Sequence, residues 1–180
     1  FSPNADGVKD EQVVKLILGL KEGSKGWRLD VRHAQAGVVR SFSSLESIPA
    51  QVVWDGRREG GALAPEGSYQ AVLEVEYLKG NLPSATTTAF LLDVTPPRIV
   101  QSLSPAEFSP DEDGVNDTLT ISTSTEDLSS IDRWSMRIID PQAAVFASWS
   151  GSGAPTPRLT WDGLSATGTR ARNGSTFRLQ

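Results

Sequence analysis

The chain repeats itself at an offset of 107 residues, and that constrains the fold more than any other feature. Phe1-Ser-Pro-Asn-Ala-Asp-Gly-Val-Lys-Asp10 matches Phe108-Ser-Pro-Asp-Glu-Asp-Gly-Val-Asn-Asp117. The same offset carries Trp27 to Trp134, Trp54-Asp55-Gly56 to Trp161-Asp162-Gly163, Gly61 to Gly168 and Gly67-Ser68 to Gly174-Ser175. Beyond Gly67 the register slips by one, and Tyr69 pairs with Phe177. A period this long exceeds that of solenoid repeats, so each copy is a domain of its own.

Within a copy the apolar residues alternate. Trp27, Leu29, Val31 and His33 interleave with Arg28, Asp30 and Arg32, and Trp134, Met136 and Ile138 with Ser135 and Arg137. Tyr69, Ala71, Leu73, Val75 and Tyr77 form a third such run. Period two places one face of a strand in a core and the other in water. Val13–Leu20, Gly37–Phe42, Gln51–Trp54 and Thr87–Val94 supply further strands, and only Ser44–Ile48 could turn as a helix. Six or seven short strands with turns between them predict an all-β, two-sheet antiparallel sandwich in each copy. Trp27, Trp54, Tyr69 and Phe90 are the bulky core candidates of copy one, with Trp134, Trp161 and Phe177 in copy two.

The 180 residues divide into repeat 1 over 1–97 and repeat 2 over 98–180. The two prolines of Asp93-Val-Thr-Pro-Pro-Arg98 point to a linker at about 94–104. Copy two stops at Gln180 soon after its last landmark, so the second sandwich is expected to be truncated at its C-terminus.

The decapeptides, the Trp-Asp-Gly tripeptides and the Asp-Val-Thr-Pro-Pro joint resemble tandem bacterial immunoglobulin-like modules. Similar ones occur in flagellar hook-capping proteins and in the C-terminal domains of exported gliding and adhesion proteins. The resemblance implies two tandem immunoglobulin-like β-sandwiches and a non-catalytic spacer, scaffold or protein-interaction role in an exported envelope protein. It implies periplasmic, outer-membrane or cell-surface placement, with protein partners or other domains of the parent chain. Peptidoglycan binding, service to a larger envelope enzyme and hook assembly are the alternatives. The family pattern has Gly where Ala5 and Glu112 stand, so a positive φ is not expected there and the loops should be remodelled.

The acidic loops are the candidate site. Asn4, Asp6 and Asp10 recur as Asp111, Asp113 and Asp117. Oxygens at i, i+2 and i+6 around a glycine resemble part of a calcium loop, so structural calcium is the one cofactor weighed. The competing expectation is an Asx turn, in which the same oxygens cap backbone amides. Trp54 and Trp161 read as core residues before an Asp-Gly turn rather than as a sugar platform. His33 is the one histidine and aligns with Asp140, which argues against a catalytic triad. Glu74 and Glu76 share a solvated strand face, and Gly23-Ser-Lys-Gly26 lacks phosphate-loop spacing.

A net charge of −5, with no basic run, argues against nucleic-acid partners. The chain has no cysteine for a disulfide or thiolate site. Val13–Leu20, its longest apolar stretch, is broken by Lys15 and falls short of the roughly 20 residues of a membrane span.

Overall fold

The computed structural model describes residues Phe1–Gln180 and divides into two units, Phe1–Val94 and Thr95–Gln180. All regular structure is strand. Unit 1 contains β1 (Gln12–Lys15), β2 (Ser24–His33), β3 (Gly37–Ser44), β4 (Gln51–Trp54), β5 (Gly67–Tyr77), β6 (Ser84–Thr86) and β7 (Phe90–Leu92). Unit 2 contains β8 (Arg98–Ser104), β9 (Leu119–Glu126), β10 (Arg133–Ile139), β11 (Val145–Ser152), β12 (Arg158–Trp161) and β13 (Arg178–Leu179).

Each unit has two antiparallel sheets. In unit 1, β1 pairs with β4, and the second sheet runs β3-β2-β5-β6 with β7 also on β5. In unit 2 the sheets run β12-β9-β8 and β11-β10-β13. The register repeats as the sequence does. Gln12↔Trp54 becomes Leu119↔Trp161, and Trp27↔Ser44 becomes Trp134↔Gly151. Even the β-bulge recurs, after Val31 in β2 and after Ile138 in β10. The one-residue slip is also visible: Arg32↔Gln70 and Val31↔Ala71 become Ile139↔Arg178 and Ile138↔Leu179.

The alternating residues fill the space between the sheets. Leu29, Val31, Val52, Trp54, Tyr69, Ala71, Val75 and Leu92 are buried in unit 1, and Ile121, Met136, Ile138, Ala147 and Trp161 in unit 2. Aromatic rings knit these clusters. Phe1 lies 5.4 Å from Trp54 and Phe108 lies 5.2 Å from Trp161, both tilted. Trp27, Phe90, Trp134 and Phe177 are half-buried at the cluster margins. The Tyr69 hydroxyl donates to the carbonyl of Pro65, four residues upstream. That is the tyrosine corner of immunoglobulin-like sandwiches, and burial pushes the Tyr69 phenol pKa up.

Three expectations change. The linker placed at 94–104 is mostly strand: β8 occupies Arg98–Ser104 and pairs with β9 along its length. All seven of its residues are exposed, so it carries no burial alternation by which to read it. Ser44–Ile48 is not helical, since the Ser44 hydroxyl accepts the Glu46 amide at 2.9 Å and closes a local turn instead. Val13–Leu20 gives a strand only to Lys15, and Thr87–Val94 only at Phe90–Leu92.

Candidate functional site

The two acidic loops have one hydrogen-bond plan. Asp10 accepts the amides of Ala5 and Gly7 on its two oxygens, at 2.8 and 2.7 Å. Asp117 accepts those of Glu112 and Gly114, both at 2.8 Å. Asn4 accepts the Asp6 amide and Asp6 that of Val8, while Asp111 accepts the Asp113 amide and Asp113 that of Val115. These are nested Asx turns, and charged acceptors make them stronger than neutral ones.

This plan forces the backbone. Ala5 has φ 65° and Glu112 φ 68°, followed by Lys9 and Asn116, each at 56°. The expectation of remodelled loops without positive φ is therefore corrected. Both copies hold the left-handed conformation with a Cβ present, at a cost of about 1–2 kcal/mol per residue. The amide pairs converging on Asp10 and Asp117 outweigh that cost.

The second loop differs from the first in charge. Oxygens of Asp111, Asp113 and Asp117 lie within 4.8 Å of one another. That spread is about twice a calcium–oxygen distance, so one cation could touch all three. In the first loop Asn4 replaces the third carboxylate, and its side-chain amide donates to Asp6 Oδ2 at 3.1 Å. The second loop also meets Arg170, whose guanidinium donates to the Pro110 carbonyl and to Glu112 Oε1. Sequence reading missed this cation. It lies 58 residues from Glu112, and copy one has Leu63 at the aligned place.

The Trp-Asp-Gly tripeptides lock onto these loops. Trp54 and Trp161 are 1% and 3% exposed, and their indole N–H groups donate to Arg57 and Leu164 carbonyls. Asp55 and Asp162 accept the amides of Arg57 and Leu164, each at 3.0 Å. Gly56 and Gly163, at φ 77° and 78°, pack against Pro3 and Pro110. Every Trp, Tyr and Phe side chain in the chain is buried or half-buried, so neither unit presents an exposed aromatic platform.

His33 and Asp140 serve one purpose in the two copies. His33 Nδ1 accepts the amides of Gln35 and Ala36 at 3.3 and 3.0 Å, and its Nε2 faces the Glu66 carbonyl at 3.2 Å. Asp140 Oδ1 accepts the amides of Gln142 and Ala144 at 2.9 and 2.8 Å. Both pin a β-hairpin turn. Glu76 pairs with Lys25 at 2.6 Å across exposed strands. Asp30, buried on the outer face of β2, was also missed: it accepts Arg28 Nε and Ser41 Oγ, both at 2.7 Å. Burial raises its pKa, but the Arg28 and Ser41 hydrogen bonds and the charges of Arg28 and Arg32 outweigh it, leaving the carboxyl below its usual range.

No family model matches the chain, and no curated protein does. Similar solved structures include a tetra-tandem repeat in the extending region of a large adhesion protein, at 14% identity and TM-score 0.36, covering 95% of this chain and 48% of that one. Dimeric latent PorU from Porphyromonas gingivalis aligns at 17% identity and TM-score 0.34 over 93% of this chain and 15% of its own. The FN1–FN3 domains of chicken CNTN1 align at 12% identity and TM-score 0.38 over 97% of this chain and 63% of theirs. The chain thus spans less than two thirds of each. No helix is long and apolar enough to cross a membrane. By its strand order, its repeated register and its tyrosine corner, the chain is all-β and built of immunoglobulin-like sandwich modules.

Proposed function

We propose that this tandem is a non-catalytic structural and protein-interaction module of an exported bacterial cell-envelope protein. The observation behind this reading is that the duplicated landmarks have structural employment in both copies. Asp10 and Asp117 cap amides, Trp54 and Trp161 fill cores, and Gly56 and Gly163 admit prolines. Both nitrogens of the single histidine face backbone groups. Duplication has preserved a scaffold, and a scaffold repeated in tandem sets reach or presents surfaces. Within this reading calcium would stiffen the second loop alone, through Asp111, Asp113 and Asp117.

The test is replacement of the tandem, in the protein as the cell makes it, by an unrelated two-module sandwich of equal length. Retained function supports a spacer, and lost function with intact export supports an interaction unit. A turnover that His33→Asn abolishes while the protein stays folded would sink the non-catalytic reading.

A further inference from the structure

Unit 1 has a groove of about 410 Å³ on the outer face of its larger sheet, over Gly26 in β2. Strands stand on both sides of it. Arg28 pairs with Ser43 of β3 and with Glu74 of β5, and Gly26 pairs with Glu76. Paired residues share a face, so these side chains surround the groove, and Gly26, which has none, forms its floor. Leu45 and Leu82 form apolar walls, at 83% and 61% exposed. A Cβ placed on Gly26 would lie 3.0 Å from Leu45 Cδ2, so the leucine reaches directly over the glycine.

The charges around the groove are unevenly committed. Glu76 holds Lys25 at 2.6 Å. Arg28 donates through Nε to Asp30 and through Nη2 to Ser41. Glu74 is half-buried and feels the charge of Arg28, yet it makes no hydrogen bond or ion pair with any group. A carboxylate drawn partly out of water without a partner is costly, and a cation delivered to it recovers that cost. The repeat adds a second pointer. The residue aligned with Gly26 in copy two is Arg133, so there the chain itself places an aliphatic stem ending in a cation. Gly26 and Glu74 are diagonal neighbours across the ladder, about 7–8 Å apart, which an arginine stem spans.

We infer that this groove receives an arginine side chain projecting from a partner protein. Its methylenes lie over Gly26 between Leu45 and Leu82, and its guanidinium meets the Glu74 carboxylate. Glu74 selects for charge, and the leucine walls select for a stem long enough to reach it. This deepens the interaction-module reading and rests on it.

The experiment titrates the nitrogen-15-labelled 180-residue protein with Nα-acetyl-arginine N-methylamide and follows the amide resonances. The Gly26 and Leu45 amides should shift to saturation in the millimolar range, because one exposed ion pair adds little affinity. The norleucine analogue keeps the stem and lacks the charge, and it should bind about fivefold more weakly. Glu74→Gln should weaken the arginine probe by about the same factor and leave the fold intact, since its carboxylate bonds to nothing. Gly26→Arg puts the residue of copy two into the groove and should abolish the shift at Leu45. Absence of saturation, equal binding of the norleucine analogue, or undiminished binding by Glu74→Gln would each overturn the site. Shifts as large at residues 4–10 and 111–117 would overturn it in favour of general attraction to an acidic chain. All of these outcomes leave the replacement test of the module untouched.

Discussion

Gly56 packs against Pro3 so closely that a Cβ on the glycine would lie 2.5 Å from the proline Cγ, and Gly163 repeats the relationship with Pro110 at 2.5 Å. The first and the middle motif of each copy are thus two sides of one contact. Gly163→Ala meets both a left-handed φ and this clash. It should cost about 2–4 kcal/mol in a urea melt of unit 2. Gly7→Ala shares the positive φ but meets nothing within 4 Å, so it should cost about 1–2 kcal/mol.

Ala5→Gly relieves a left-handed alanine and should stabilise unit 1 by about 0.5–1 kcal/mol after the added unfolded-chain entropy is subtracted. Glu112→Gly should gain less, because it also removes the exposed ion pair with Arg170. Thermal melts of the two variants would check the order.

Tyr69→Phe removes the corner hydroxyl and leaves the Pro65 carbonyl without that donor. A loss of about 1–2 kcal/mol is expected in unit 1 by chemical denaturation. Unit 2 carries Phe177, which has no hydroxyl, at the aligned place and has no such bond to lose.

The Asp30 carboxyl is held below its ordinary range in the folded state, so its contribution is present above the unfolded pKa of about 3.9 and fades as pH falls through the lower folded value. Unit 1 should lose stability across that acid window. Asp30→Asn should flatten this part of the pH profile and lower stability at neutral pH, as equilibrium melts from pH 2 to 7 would show.

Millimolar calcium, added after EDTA, should raise the stability of unit 2 by about 1 kcal/mol if the second loop binds it with the weak affinity of extracellular modules. Asp113→Asn should abolish the rise and unit 1 should not respond. Identical melts with and without calcium would leave the three carboxylates as amide caps only.

What the sequence determined was whatever both copies print. The offset of 107 residues aligned the landmarks of the two copies, and period-two alternation marked strands such as β2, β5 and β10, because alternation encodes which face of a strand is buried. Trp54 and Trp161 could be assigned to the cores on the same ground, whereas Asp10 was legible only as either a calcium ligand or an Asx cap. The tertiary structure alone decided the rest. β8 has no counterpart to align with and all its residues are exposed, so only its ladder with β9 reveals it. Ala5 and Glu112 go left-handed because a carboxylate five residues on collects their amides, which no single-residue preference anticipates. Arg170 reaches Pro110 and Glu112 only after the chain has folded back. Propensity and pattern act over a few residues, whereas edges, charge partners and strained turns depend on what the fold brings from far along the chain.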